Sequence, residues 1–469
     1  MAGLLPDPSP RPRHHTIISV DDHLIEPPDM FDGRMPAGYV DVAPRVVHDD
    51  GRQQWLFEGN LYPNIGLNAV VGRPADDWSM DAARFDEMRK GCWDIHARIA
   101  DMDLAGIWAS VCFPSLLAGF AGTVFSRAAD QGLGLACVRA WNDWHHEVWA
   151  GTYPERIVPI QIPWLSDPSV AAEEVRRNAG RGFRAVSFSE NPANQKLPSM
   201  HTTHWDPFLA ACEETETVVC LHTGSSAWTA ASSPNAPLEL YATLFPASAL
   251  ASAADWVWAK VPVRFPELKI AMSEGGIGWV PLLLDRLDYV VDHSARGSSV
   301  WSGVDLRPSE VLQRNFWFCT IDDPSMLALR HRIGIDHIMV ECDYPHADST
   351  WPDIQLLLDD RLRDLPADEV RKLTCENAAQ LFRHPLPTAT DPAFGPASIG
   401  RDDTAPSGTD VSSVSMPAWH PPPSPRTATR GTNRMASARY TPRAPRDLTS
   451  TFRKNYGACT MREARSNFE

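Results

Sequence analysis

The chain has 469 residues, 43% of them apolar and 22% charged, with a net charge of −16. This is ordinary globular composition with room for one large domain or two smaller ones. So acidic a balance argues against nucleic acid, because phosphate binding wants a basic face. No apolar run approaches the roughly 18 residues a membrane helix needs.

In chain order, "MAGLLPDPSPRPRHH" (1–15) is Pro-rich and polar, and predicts a flexible N-terminus without a secretory h-region. "TIISV" (16–20) reads as a first strand ending in Asp21-Asp22-His23, with Glu26 and two prolines beyond. Charge at a buried strand end is costly unless it is paired or holds a metal. Alternation puts Asp21 and His23 on one side and Asp22 on the other.

Residues 32–78 fit no simple element. Within them "DDG" separates two alternating runs, which predicts a hairpin, and the segment reads as a β-rich lid inserted after the first strand. "DAARFDEMRKGCWDIHARIADMDLAG" (81–106) has helical spacing and stops on Gly106. Seven more β-branched runs follow: "IWASVCF" (107–113), "RIVPIQI" (156–162), "FRAVSF" (183–188), "TVVCLH" (217–222), "LKIAMS" (268–273), "FWFCTI" (316–321) and "HIMVEC" (337–342). Between them, "SVAAEEVRRNAG", "DPFLAACEETET" and "DEVRKLTCENAAQLFR" repeat apolar residues at helical intervals. Eight strands alternating with helices predict an α/β fold, a (β/α)8 TIM barrel over 16–385. A doubly wound sheet would usually open on a Gly-rich phosphate loop, and "DDHLIEPPD" is not one. From 386 to 469 the chain turns to Pro, Ser, Thr and Arg, with eleven basic residues against seven acidic, and predicts a disordered tail. Nine scattered cysteines without CxxC spacing indicate buried, reduced thiols and a cytoplasmic protein.

In such a barrel the chemistry sits at the C-terminal ends of the strands. The first strand offers Asp21 and His23, the fifth His222, the sixth Glu274 and the eighth Asp343. Imidazole and carboxylate together suit a divalent ion: zinc first, with manganese or iron(II) as alternatives. Asp21, His23, His222 and Asp343 would hold one ion, and Glu274 would serve as general acid or base. Glu26 is expected to reach the ion or the lid, and His346 to flank the site. Trp279 is expected to wall an apolar pocket. Arg98, Asp101 and Asp103 read as a structural ion-pair network on a helix.

The stretches "VDDHLIEP", "ARIADMDLAGI", "RAWNDW", "PERIVPIQIP", "HWDPFLAACEETETVVCLHTGSS", "FPELKIAMSEGGIGWVP", "LLDRLDYV", "IMVECDYPHADSTWP" and "ENAAQLFR" run in order from about 16 to 382. Together they resemble the amidohydrolase-related family, in the branch of aminocarboxymuconate-semialdehyde and resorcylate-type decarboxylases. The resemblance implies a metal ligand pair at Asp21 and His23, a strand-five ligand at His222 and a strand-eight Asp at Asp343. It also implies a small-molecule substrate and a homodimer. Many relatives carry a His where this chain has Glu274. The bridging Lys of binuclear members is missing from "FRAVSFSEN", which fits a single ion. The expected activity is decarboxylation of a small carboxylated substrate. The alternatives are hydrolysis by a metal-bound water and a barrel that only binds.

Overall fold

The computed structural model describes residues 3–388, apart from 50, 64, 67, 75, 77–83, 231–232 and 234. The expected tail lies outside the described residues, apart from its first three. The strands, in chain order, are β1 (Ile18–His23), β2 (Arg45–Asp49), β3 (Arg52–Phe57), β4 (Asn60–Tyr62), β5 (Ala109–Phe113), β6 (Ile157–Val158), β7 (Ile160–Gln161), β8 (Ala185–Ser189), β9 (Val218–His222), β10 (Ile270–Ser273), β11 (Phe316–Thr320) and β12 (Ile338–Val340). Each of the eight expected runs overlaps one of these strands or, at 156–162, two; β1 runs on to His23 and β8 to Ser189.

The fold is α/β with parallel sheets. One sheet runs β1-β5-β6 and the other β12-β11-β10-β9-β8-β7, all parallel. Pro159 divides β6 from β7, because it has no N–H to give a ladder. Its carbonyl still accepts from Arg184 and Ala185. At the other edge, Asp343 N–H donates to the Asp21 carbonyl at 2.9 Å and His23 N–H to the Tyr344 carbonyl at 2.6 Å.

Period-two alternation sorts the strand side chains. Val20, Val111, Val158, Ile160, Val218, Cys220, Ala271, Cys319 and Met339 belong to one buried cluster, which takes residues from every parallel strand except β8's larger ones and includes Ala185 of β8. Phe382 of the last helix joins it. The intervening residues, such as Val186, Phe188, Val219, Leu221, Ile270, Phe318 and Ile338, pack in a second cluster with the helices. Each fully buried large aliphatic contributes about 1.5–3 kcal/mol.

The helices follow their caps. The expected helix at 81–106 is shorter, Ile95–Ala105. Asp94 caps it by accepting from Ala97 N–H, and Gly106 ends it at φ 73°. Upstream, a Cβ at Gly91 would come within 2.3 Å of an Asp101 carboxylate oxygen, so only glycine fits this close approach. The helix Pro168–Arg181 starts on an Asp167 cap and ends at Gly182, two residues past the expected stop.

β2 and β3 pair as the expected hairpin and β4 adds one strand more, an antiparallel sheet β2-β3-β4. The inserted segment reaches the strand ends further on, where Val70 and Val71 both donate to the Pro345 carbonyl at 3.0 and 3.2 Å. Residues 3–15 form no helix or strand; Arg11 pairs with Asp353 at 2.6 Å and His14 and His15 N–H donate to Gln355. The eight described cysteines are buried and free. Among the described residues no helix is long and apolar enough to cross a membrane.

Candidate metal centre

β1, β9 and the turns after β10 and β12 bring Asp21, His23, His222, Glu274 and Asp343 together. His23 Nε2 lies 3.2 Å from Asp343 Oδ1, 3.6 Å from Asp21 Oδ1 and 3.2 Å from His222 Nε2. His222 Nε2 lies 3.5 Å from Asp21 Oδ1 and 3.1 Å from Glu274 Oε2. One atom each from Asp21, His23 and His222 falls within a 4.8 Å set, and so does one each from His23, Asp343 and His346. His23 is thus common to two overlapping trios.

His23 Nε2 and His222 Nε2 are within hydrogen-bond reach of each other at 3.2 Å, but the two carboxylates are left out. Among the described residues, no donor reaches either oxygen of Asp21 or of Asp343 in hydrogen-bond geometry, and both residues are fully buried. A buried polar atom without a partner costs about 1–3 kcal/mol, and here four sit together. His222 Nδ1 is 2.8 Å from the Thr223 carbonyl. A carbonyl can only accept, so Nδ1 carries the proton and the bare Nε2 faces the cluster. A divalent cation fits this donor set and would relieve every orphaned oxygen.

The electrostatics agree. Burial raises the Asp21 carboxyl well above the usual range, and Glu341, Glu274 and Asp22 push it the same way. Asp343 is raised by burial, then by Glu274, Asp348 and Asp21. Burial lowers His222 to about 3 and His346 to about 4. Burial thus favours the neutral imidazoles and pushes the two carboxyls toward their protonated forms, as expected of a charge cluster with no cation to balance it.

Glu274 and Asp343 both adopt left-handed backbone, at φ 54° and 56°. Asp tolerates this region better than Glu does. Strain of this kind persists where the surroundings fix it, and it gathers at working sites. Phe113 and Phe120 line the imidazoles: ring centroids lie 5.0 and 4.8 Å from His222, and Phe120 meets His23 edge-on at 5.7 Å.

His346 is in the cluster. Its Nδ1 lies 3.0 Å from Asp343 Oδ1 and its ring stacks on His23 at 3.9 Å. Glu26 is elsewhere: its carboxylate accepts from Ser115 N–H at 3.1 Å, the Ser115 hydroxyl and Trp141 Nε1 at 3.0 Å. It ties the chain after β5 to the helix Gln131–Trp144. Trp279 donates to the Gly275 carbonyl at 2.8 Å and packs on Phe318, and it has no place among the clustered groups. Of Arg98, Asp101 and Asp103, the two acids are bridged, Asp101 to Arg89 and the Tyr344 hydroxyl and Asp103 to Arg156, whereas Arg98 donates to the main-chain carbonyls of Gly91 and His23.

Three residues were not anticipated. Glu341 is buried, hydrogen-bonded to Cys319 Sγ, and its carboxyl is raised by burial to about 7. Parity with Asp343 in "ECD" was the available signal. One atom each from Asp21, Cys319 and Glu341 also lies within 4.8 Å of the others. Glu190 sits one residue past β8, on the strand that appeared to offer no acid.

Parallel strands that deliver imidazoles and carboxylates to one end define the class: an α/β protein with a metal-capable strand-end site. The amidohydrolase family model matches residues 64–384, and the chain belongs to that family, as the motifs indicated. Solved structures share the fold. An amidohydrolase from Mycobacterium avium subsp. paratuberculosis is 22% identical with a TM-score of 0.61, over 79% of this chain and 99% of its own. A 5-carboxyvanillate decarboxylase from Novosphingobium aromaticivorans, complexed with manganese and 4-hydroxy-3-methoxy-5-nitrobenzoic acid, is 17% identical with a TM-score of 0.56, over 82% and 99%. A 2,6-dihydroxybenzoate decarboxylase from Rhizobium is 16% identical with a TM-score of 0.52, over 79% and 99%.

Proposed function

We propose that this chain is a metal-dependent decarboxylase of a small aromatic carboxylic acid, built on a single (β/α)8 barrel. The observation that carries it is the set of orphaned buried oxygens on Asp21 and Asp343 beside the bare Nε2 of His222. Asp21, His23, His222 and Asp343 would hold one divalent ion. When bound, the ion supplies positive charge for the substrate carboxylate and an adjacent oxygen. Two carboxylates beside two imidazoles admit manganese, which the Novosphingobium decarboxylase carries, so manganese moves ahead of zinc.

The side chains do the rest. Glu274 is raised well above the usual range by burial, then by Asp348, Glu341 and Glu190. It is pushed toward the protonated form and faces the cluster through His222 Nε2 at 3.1 Å. As the carbon–carbon bond breaks and carbon dioxide leaves, Glu274 gives its proton to the carbon that keeps the electron pair. Phe113 and Phe120 supply the apolar wall against which an aromatic ring lies. The inserted segment at 32–78 acts as a lid that keeps water from the transferred proton.

The test is release of carbon dioxide from a panel of hydroxybenzoates by the manganese-loaded chain, beside His222→Ala. Release by the wild type that drops at least about a thousandfold in the variant supports the reading. Ester or lactone cleavage with no carbon dioxide, under the same metal dependence, would replace it with hydrolysis.

A further inference from the structure

Glu190 is held at every polar atom but one. Its N–H donates to the Ser225 hydroxyl at 3.0 Å, and its carbonyl accepts from the Ser252 hydroxyl at 2.7 Å and Trp256 Nε1 at 3.0 Å. Its Oε1 accepts from Gly224 N–H and the Ser226 hydroxyl. The turn that follows His222 thus clamps this carboxyl. Its Oε2 has no partner among the described residues, although Glu190 is only 1% exposed.

The preceding residue is bare as well. Ser189 pairs in register with His222 across β8 and β9. It shares the parity of Ala185, which lies in the inner cluster, while Val186 and Phe188 pack in the cluster with the helices. Its side chain therefore stands on the same side as the His222 imidazole. The hydroxyl is fully buried and bonds to nothing among the described residues. Ser187, two residues deeper with the same parity, is left open too. Buried polar groups are nearly always paired, so a row of open ones ending at the strand end marks a place for a ligand. We propose that Ser189 and Glu190 form a specificity subsite for a neutral hydroxyl of the substrate, on the β8 side of His222 and apart from the oxygens that meet the ion. It rests on the proposed function and narrows its substrate.

A hydroxyl donates one hydrogen bond and accepts others, so it can satisfy a serine hydroxyl and a carboxyl oxygen together. A hydrogen, methyl or halogen in its place leaves both buried groups unpaired. A second carboxylate is opposed by charge. Burial raises the Glu274 carboxyl, and the charges of Asp348, Glu341 and Glu190 push it the same way. Another anion would enter a space that is already acidic. The clamped Glu190 carboxyl cannot turn aside to bond elsewhere, which sharpens the choice.

The experiment compares 2-hydroxybenzoate with the dihydroxybenzoates that keep its 2-hydroxyl, and with the same rings carrying a second carboxylate, on the manganese-loaded full chain. Carbon dioxide release and calorimetric binding are read separately. One dihydroxy isomer should exceed 2-hydroxybenzoate in kcat/KM by about a hundredfold or more, since a site built for a hydroxyl rejects the analogue that lacks it. Ser189→Ala and Glu190→Gln should each cut that preference to about tenfold or less. Ser189→Ala should melt no lower than the wild type, because the hydroxyl it removes has no partner in the fold. A lower melting temperature would make Ser189 part of the scaffold and overturn its role here. A flat series, a preference that both variants keep, or a preferred dicarboxylate overturns the subsite and leaves the proposed function standing. Isomer-selective binding without carbon dioxide release keeps the subsite and overturns the reaction. No binding of any of these acids defeats both readings.

Discussion

The Arg98 guanidinium donates to the main-chain carbonyl of His23 from below the site. It also donates to the Gly91 carbonyl at 2.8 Å and lies 4.2 Å from the Tyr344 ring centroid. Asp22, turned away from the cluster, accepts from Tyr344 N–H at 2.9 Å and from the hydroxyls of Ser19 and Ser110. β1 and the turn bearing Asp343 are thus locked from behind by one buried cation and one buried acid. Arg98→Met leaves buried carbonyls unpaired. It should cost about 3–5 kcal/mol by urea unfolding and weaken manganese binding about 10–100-fold. Unchanged affinity in a destabilised variant would limit Arg98 to the scaffold.

Glu26 gives the opposite expectation. All three of its donors, the Ser115 N–H, the Ser115 hydroxyl and Trp141 Nε1, are structural. Glu26→Ala should therefore lose about 2–4 kcal/mol and keep its metal. Elemental mass spectrometry on the folded variant decides the matter; loss of the ion would return Glu26 to the site.

Glu190 makes stability depend on pH. Its Oε1 accepts from Gly224 N–H at 3.0 Å and from the Ser226 hydroxyl at 2.8 Å, while burial raises its carboxyl from 4.5 to about 7. The folded chain keeps a proton that the unfolded chain releases near pH 4.5. This contribution is whole below that pH and is lost as pH rises to about 7, by roughly 3 kcal/mol. Glu190→Gln has no such proton. In the metal-free protein, the variant should gain on the wild type by that amount between pH 5 and pH 8. A gap that does not change with pH would show that the acid is ionised in the fold.

Chelation should destabilise the wild type. An ion at a hundred times its dissociation constant stabilises a fold by about 2.7 kcal/mol. Removing it should lower the melting temperature, and Asp21→Asn should already sit at the lower value and be indifferent to chelator. Equal melting curves with and without chelator for the wild type would argue against a metal in the fold.

Much of this was readable in the chain. Eight β-branched runs located all nine parallel strands, two of them within one run, because a strand buried on both faces must be apolar nearly throughout. Asp21, His23, His222, Glu274 and Asp343 were visible because charge at a strand end is rare without a reason. Glu190 escaped notice because its strand runs one residue further than its apolar run suggested, to Ser189, with the acid next in the chain. Glu341 was hidden among its neighbours in "ECDYPH", though it shares the parity of Asp343. Glu26 bonds to Ser115 and Trp141, and Trp279 to the Gly275 carbonyl, partners that the sequence does not foretell. Spacing along the chain places a residue near a strand end, but only tertiary contact decides which way it turns. The helix before β5 was drawn too long, since Gly91 and the Asp94 cap outweigh the helical spacing upstream.

The carbonyl of Pro345, held by Val70 and Val71, lies in the short peptide between Asp343 and His346. The inserted segment therefore grips the very turn that carries two of the clustered groups. Whatever lifts that segment strains the turn beneath it. Under the proposed function, entry of substrate and exchange of the ion would share this latch, and a variant that tightens it is expected to keep its ion longer and turn over more slowly.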